Sequence, residues 1–131
     1  HYRDLYPFLK DQPKFLFEYG QCLSKTGQYE EGIRILTEGT RLSADPMFYN
    51  IMGKDAEALK HFGQAEACFK QASYMVPHRL YPLYLLAKMY FESGQSKKGR
   101  DMARQVIQKE PKVMSDAVKE MKAELEERLK P

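Results

Sequence analysis

The feature that most constrains the fold is an internal repeat with a period of 33 to 34 residues. Three segments, which begin at Pro13, Pro46 and Leu80, align with one another at offsets of 33 and 34 residues. Each segment has a large apolar residue at its fourth position and small residues at its eighth and twentieth. These positions hold Leu16, Tyr49 and Leu83; Gly20, Gly53 and Ala87; and Gly32, Ala65 and Gly99. A period of this length indicates one supersecondary unit per repeat, which buries its apolar face by stacking on its neighbours.

The spacing of apolar residues inside each repeat indicates two helices. In the first repeat they recur at intervals of three and four, and Gly27 separates two such stretches. Gly94 is in register with Gly27, but the second repeat has its glycine at Gly63, so we expect its turn to be built differently. Asp45 followed by Pro46 is typical of a helix N-cap and first turn. We predict helices near residues 13–25, 29–41, 46–58, 62–74, 81–92 and 96–108.

Three glycines fall in the interiors of the predicted helices. Gly32, Gly39 and Gly99 each cost about 1 kcal/mol of helix stability relative to alanine. Close approach of neighbouring helices would explain them, because a side chain at these positions would hold the helices apart. The alternative is that they only fray the helices.

The two ends of the chain are predicted to flank the repeats. The segment "KVMSDAVKEMKAELEERLK" has an apolar stripe, as expected of a capping helix. The stripe consists of Met114, Ala117, Val118, Met121, Leu125 and Leu129. When the repeat is extended towards the start of the chain, "HYRDLY" falls at the end of the second helix of an earlier repeat, and Pro7 is expected to stop that helix. We therefore expect another repeat upstream. The predicted division is residues 1–12 (end of a preceding repeat or linker), 13–45, 46–79, 80–111 (three repeats) and 112–131 (cap).

Composition and scattered reactive residues argue against chemistry within the chain. The 131 residues are 43% hydrophobic and 30% charged with a net charge of +3, as in an ordinary globular domain. Basic residues are dispersed among nearly as many acids, and the positions expected to face a ligand are mixed and often aromatic, so no nucleic-acid partner is predicted. No run of 18 apolar residues occurs, so no membrane-spanning helix is predicted within these residues. Three histidines, His1, His61 and His78, lack partners at catalytic or ligand spacing, so we predict no catalytic site, metal or cofactor.

Cys22 and Cys68 lie 46 residues apart and show no zinc-ligand spacing. We interpret both as small buried apolar residues. A disulfide or a reactive thiol is the alternative, and the redox compartment stays open.

The repeat pattern resembles the tetratricopeptide repeat. The second repeat carries Ala65, Phe69, Ala72 and Pro77 at the family's alanine, aromatic, alanine and proline positions. The resemblance covers residues 13–111. It implies an all-α fold, an α-solenoid of three helix pairs with a C-terminal capping helix, that acts as a protein-interaction module.

The resemblance also implies a concave groove lined by the first helix of each repeat. The residues carried over to the partner groove are Lys14, Phe17, Gln21, Lys25, Asn50, Lys54, Tyr81, Tyr84, Lys88 and Phe91, with Ser24, Met47, Glu57, Ala58 and Glu92 at further inward positions. They suit a protein or peptide partner. Phe17 and Tyr84 are either binding anchors or core residues. The lysine and asparagine clamp by which some family members hold chaperone C-termini is matched only at Lys88.

Three segments show a narrower resemblance, to the C-terminal repeat region of bacterial O-antigen ligase or polymerase-type membrane proteins. They are "YPFLKDQPKFLFEYGQCLS", "YMVPHRLYPLYLLAKMY" and "EPKVMSDAVKEMKAELEE". The resemblance implies a location on the periplasmic side of the inner membrane, within a larger protein that takes part in lipopolysaccharide O-antigen assembly, whose chemistry resides in a membrane domain. The alternative is a cytoplasmic scaffold or oligomerisation protein.

Overall fold

The computed structural model describes residues 1–131 and contains eight α-helices and no β-strand. The helices are α1 (Tyr2–Leu9), α2 (Pro13–Lys25), α3 (Tyr29–Thr40), α4 (Met47–Ala58), α5 (Phe62–Met75), α6 (Tyr81–Glu92), α7 (Ser96–Gln108) and α8 (Asp116–Leu129). The prediction of an all-α fold is confirmed. The chain forms two compact units, His1–Cys68 and Phe69–Pro131, which are described separately.

The bounds of the six repeat helices agree with the prediction to within one residue. Helix α4 begins at Met47, one residue later than the predicted start at Pro46. Pro46, not Asp45, is therefore the N-cap residue, although the Asp45 carboxylate accepts a hydrogen bond from the Met47 N–H at 2.9 Å.

The turns between paired helices use two different backbone solutions. Gly27 and Gly94 adopt left-handed φ values of 80° and 77°. In the second repeat Lys60 takes this conformation instead, with φ 63°. The expectation that this turn is built differently is therefore confirmed. Lys60 carries a side chain in the left-handed backbone region, which favours glycine.

In the first unit, α2 and α3 form a hairpin against which α4 packs. Leu16, Ile35 and Leu36 are fully buried in it. Glycines allow the close approach: a Cβ on Gly20 would lie 2.5 Å from Leu36, and one on Gly39 would lie 2.9 Å from Cδ1 of Phe48 and closer still to Cε1.

Gly32 and Gly99 are also buried, and a Cβ on either would meet neighbouring side chains at 3.0 Å. Both lie within helices, at the fourth position of α3 and of α7. The interpretation that the helix-interior glycines permit close packing is therefore confirmed.

Helix α1 differs from its prediction, because Pro7 lies inside it rather than ending it. Proline removes one intrahelical bond, to the carbonyl of Arg3, and both residues are exposed, so water can satisfy that carbonyl. Tyr2, Tyr6 and Leu9 pack on the core of α2, and this packing offsets the cost of the proline.

In the second unit, α6 and α7 form a hairpin covered by α8. Ser115 caps α8, its Oγ accepting a hydrogen bond from the Val118 N–H at 3.2 Å. The helix therefore starts at Asp116, not 112. Met114 (48% exposed) and Ala117 lie outside the packed stripe, contrary to prediction, because one precedes the helix and the other faces solvent in its first turn.

The stripe that does pack consists of Val118, Met121, Leu125 and Leu129. Of these, Leu125 is fully buried, and its neighbours in the core include Ala103 and Val106 of α7. The prediction of a capping helix therefore holds from Val118 onward.

The prediction for the cysteines is right for one of them. Cys68 is buried, but Cys22 is exposed. The buried stripe of α2 runs through Phe15, Tyr19 and Leu23, and Cys22 lies beside that stripe rather than on it.

No helix combines the length and the apolar character needed to cross a membrane. No group of three or more histidine, cysteine or acidic side chains is placed to hold a metal ion.

Candidate functional site

Two hollows lie along α2 and α4 in the first unit, and both are lined by Gln21. The Phe17 hollow, of about 460 Å³, is lined by Pro13, Lys14, Phe17, Glu18, Gln21, Ser43, Asp45 and Phe48. The Asp55 hollow, of about 300 Å³, is lined by Gln21, Ser24, Lys25, Tyr29, Ile51, Lys54, Asp55 and Ala58. The two hollows are adjacent, with Gln21 lining both, and together they are here called the α2–α4 groove.

The sequence builds this groove from the helical period of α2. Lys14, Phe17, Gln21 and Lys25 recur at intervals of three and four, so they line one side of the helix. The buried stripe of α2 occupies a different side and holds the helix on α3 and α4. Four of the predicted groove residues are therefore brought together on α2, and a fifth, Lys54, joins them from α4.

The floor of the Phe17 hollow is aromatic. Phe17 meets Phe48 edge-on, with ring centroids 5.1 Å apart and an interplanar angle of 69°. Phe48 is buried, whereas Phe17 is only partly buried. Phe17 thus packs against the core with one side of its ring and lines the hollow as well.

The rim of the groove carries three lysines. Lys14, Lys25 and Lys54 are all exposed, and none of them is in an ion pair. Glu18 and Asp45 contribute negative charge at the Phe17 hollow, whereas Lys25 and Lys54 are the charged rim of the Asp55 hollow. The groove is therefore most positive at the end where those two lysines lie.

A buried carboxyl group forms the floor of the Asp55 hollow. Asp55 is 2% exposed, and its Oδ2 lies 2.7 Å from Oγ of Ser24. The same Oγ lies 3.0 Å from the carbonyl oxygen of Gly20. One hydroxyl proton cannot fully serve both acceptors. A protonated Asp55 removes the conflict, because it donates to Ser24, which then donates to Gly20.

The electrostatics agree with this arrangement. Burial raises the pKa of Asp55 to about 6, against the opposing effects of the Ser24 hydrogen bond and the Lys54 charge. Burial, together with the charge of Asp55, raises the pKa of the Cys68 thiol to about 11. Asp55 therefore changes its charge within a biologically accessible pH range, while Cys68 stays a neutral thiol.

Stability should consequently fall as pH rises through the pKa of Asp55. The folded-state pKa of about 6 exceeds the unfolded value of 3.8, so the folded state binds the proton more tightly. Protonated Asp55 therefore contributes roughly 3 kcal/mol to the free energy of unfolding. This contribution is fully present below about pH 4 and is lost by about pH 7. We expect Asp55→Asn to lack this dependence, since its amide can donate to Ser24 at any pH. Urea unfolding at pH 4 and pH 7.5 measures the difference, and equal pH dependence in the two proteins would contradict the assignment.

The predicted groove residues of the third repeat are covered by α8. Oη of Tyr84 donates to Glu124 at 2.9 Å, and Nζ of Lys88 lies 3.2 Å from the same carboxylate. Phe91 lies beneath the guanidinium of Arg128, at 5.3 Å from its ring centroid. Burial raises the pKa of the Tyr84 hydroxyl, and the nearby Glu124 adds to this rise.

Two further predicted residues have other surroundings. Tyr81 stacks on Tyr84 at a centroid distance of 6.2 Å and is partly buried. The resemblance to the repeat places Asn50 in the accessible groove. Asn50 is only 2% exposed, however, so its side chain is buried instead. Its amide donates to Sδ of Met47 at 3.5 Å, and its Oδ1 has no partner.

Sequence reasoning missed Asp55. A signal for it was present, since Asp55 stands four residues after Ile51 and three after Met52, on the stripe of α4 that is otherwise apolar. An acid on a buried stripe indicates a carboxyl group that needs a hydrogen-bond partner. The partner, Ser24, is 31 residues away and could not be identified from spacing.

Comparison with known proteins identifies the class of repeat. Residues 13–46 and 83–112 each match a tetratricopeptide repeat family model. These two segments are tetratricopeptide repeats, and each contains a helical hairpin or the main part of one. The assignment of residues 46–79 as a further repeat stays a prediction, although α4 and α5 form there as expected.

Solved structures share the fold. The crystal structure of MamA has a TM-score of 0.74 at 16% identity, over 97% of this chain and 74% of that one. The Arabidopsis OM64 TPR domain has a TM-score of 0.71 at 17% identity, over 92% of this chain and 98% of that one. At such identities the likeness establishes the fold alone. No curated protein sequence matches the chain significantly.

Proposed function

We propose that the chain is a protein-interaction module that binds an extended peptide in the α2–α4 groove. The observation that carries the proposal is the adjacency of two hollows that share Gln21, with an aromatic floor in one and exposed lysines at the rim of the other. Apolar anchoring combined with a polar rim is typical of peptide recognition.

The dimensions suit a short segment of a partner. Lys14 and Lys25 mark the ends of the groove on α2, and eleven residues of helix span roughly 17 Å. An extended chain advances about 3.3 Å per residue, so roughly five residues of peptide fill this length. We expect the peptide to place an apolar side chain in the Phe17 hollow and an acidic one beside Lys25 and Lys54.

The charge requirement can be tested with selected peptides. Twelve-residue random peptides displayed on phage are selected on the immobilised chain, and their affinities are measured by fluorescence anisotropy. We expect Lys25→Ala/Lys54→Ala to weaken binding at least tenfold and to reduce its salt dependence. The matched control is Lys112→Ala/Lys119→Ala, which removes the same charge from exposed positions in the second unit. Equal affinities for the two double variants, or no selected peptide, would refute the proposal.

For the cellular setting we propose the periplasmic repeat region of an O-antigen ligase or polymerase-type protein, with the module recruiting a partner to glycan assembly. The support is the resemblance of the three segments quoted above. Apolar membrane spans in the parent gene, with this region on the periplasmic side in a topology assay, are the expected result. A parent without membrane spans would instead support a cytoplasmic scaffold or oligomerisation protein.

A further inference from the structure

Helix α8 is attached to the rest of the second unit by few buried side chains. Leu125 is its one buried residue, whereas Val118, Met121 and Leu129 are partly exposed. Residues 109–115, which connect α7 to α8, contain no helix, and within this connection Val113 is 75% exposed. A helix held by one fully buried and three partly buried apolar side chains, and joined by an irregular segment, can undock locally while α6 and α7 stay folded.

Two charged side chains of α8, Glu124 and Arg128, contact residues that would otherwise face a ligand. Its other polar contacts lie along α7 and just beyond its end, since Lys122 donates to the carbonyl oxygens of Ile107 and Lys109, and the Leu129 carbonyl accepts from Arg100. Glu124 accepts from Oη of Tyr84 and pairs with Nζ of Lys88, which itself donates to Tyr84 at 3.1 Å. One turn further along, Arg128 lies over the ring of Phe91 and 3.8 Å from Glu92.

These residues correspond to the groove residues of the first repeat. In the repeat frame, Tyr84, Lys88 and Phe91 occupy the same positions as Phe17, Gln21 and Ser24. Phe17, Gln21 and Ser24 line the open α2–α4 groove. Tyr84, Lys88 and Phe91, in contrast, are in contact with α8. The same side of the repeat is therefore open in one case and occupied by a segment of the chain itself in the other.

We propose that the face formed by α6 and α7 is a docking surface for an amphipathic helix of another protein, and that α8 is the occupant such a helix displaces. The contacts of α8 define the partner. It presents apolar residues in the pattern of Val118, Met121, Leu125 and Leu129, with a carboxylate in the place of Glu124 and a guanidinium in the place of Arg128. The carboxylate meets Tyr84 and Lys88, and the guanidinium meets Phe91 and Glu92.

Because α8 is tethered, it competes with a partner at a high effective concentration. The apparent affinity of a partner helix is reduced by the fraction of chains in which the surface is open. Weakening the attachment of α8 should therefore strengthen the binding of a helix added in trans, which is the opposite of what a purely structural cap would show.

The test uses the full chain and a fluorescein-labelled peptide with the sequence of residues 115–130. We expect the peptide to bind Leu125→Ala at least tenfold more tightly than wild type, since that substitution weakens the tethered competitor. Glu124→Lys, which changes an exposed residue and keeps the apolar stripe, should strengthen peptide binding about fivefold. Its matched control, Glu126→Lys, makes the same charge change on α8 outside these contacts and should leave affinity unchanged.

Hydrogen exchange on the wild-type chain gives an independent result that needs no variant. We expect the amides of α8 to exchange at least tenfold faster than those of α6 and α7. Equal protection of the three helices, or peptide affinities that do not change with Leu125→Ala and Glu124→Lys, would overturn the proposal. A wild-type dimer that the peptide dissociates would also overturn it, because the partner would then be a second copy of this chain.

Discussion

Replacement of Gly39 by leucine is expected to destabilise the first unit by roughly 4 kcal/mol or more. Gly39 is buried in α3 directly against the ring of Phe48, which is 2% exposed and so is closely surrounded by other atoms. The first carbon of the new side chain would already overlap this ring, and three further carbons would have no space. The free energy of urea unfolding measures the effect.

A second helical glycine, Gly63, serves as the control position. Gly63 also lies inside a helix, α5, but a Cβ on it would meet nothing within 4 Å. Alanine should therefore raise stability by about 0.5–1 kcal/mol, through its better helix propensity and the reduced entropy of the unfolded chain. If both glycines tolerated substitution equally well, close approach between helices would not be the reason for Gly39.

Removal of residues 112–131 is the second change with a large expected effect. It deletes α8 and exposes the apolar face of α6 and α7 around Leu80, Ala103 and Val106. The loss of one fully buried and three partly buried side chains should cost about 4 kcal/mol or more, or cause aggregation. Thermal unfolding and size-exclusion chromatography measure the two outcomes.

The control for this truncation lacks only Lys130 and Pro131, which are exposed and lie beyond the end of α8. It should unfold at the temperature of the intact chain. A monodisperse protein ending at residue 111 with an unchanged melting temperature would contradict the role of α8 as a cover for the repeats.

The helices could be predicted closely because local signals agree with the repeat. The spacing of Leu16, Tyr19 and Leu23 fixes a helical face, and Gly27 and Gly94 supply left-handed turns that few other residues adopt without strain. Any one repeat gives a weak pattern, but three in phase define where each helix begins and ends.

The wrong predictions concern residues whose behaviour depends on solvent exposure. Pro7 continues α1 because the carbonyl that it leaves unpaired faces water, and Met114 stays outside the stripe because Ser115 caps the helix after it. Cys22 is exposed because it lies beside the buried stripe of α2. The propensity of a residue indicates its preferred local conformation. It does not indicate which side of a helix is buried by tertiary packing.

The candidate site was predictable in part. The repeat frame brought Lys14, Phe17, Gln21 and Lys25 to one groove, since that step needs only the helical period. It could not show that Asn50 is buried or that Glu124 reaches Tyr84, because these depend on contacts between helices far apart in sequence.

The central claim is that a peptide binds in the α2–α4 groove, and the most direct measurement is an NMR titration of the ¹⁵N-labelled chain with a phage-selected peptide. We expect the largest amide shift changes at residues 14–25 and 47–58, with the side-chain amide of Gln21 among them because it lines both hollows. Largest changes confined to other helices, or none at millimolar peptide, would contradict the claim.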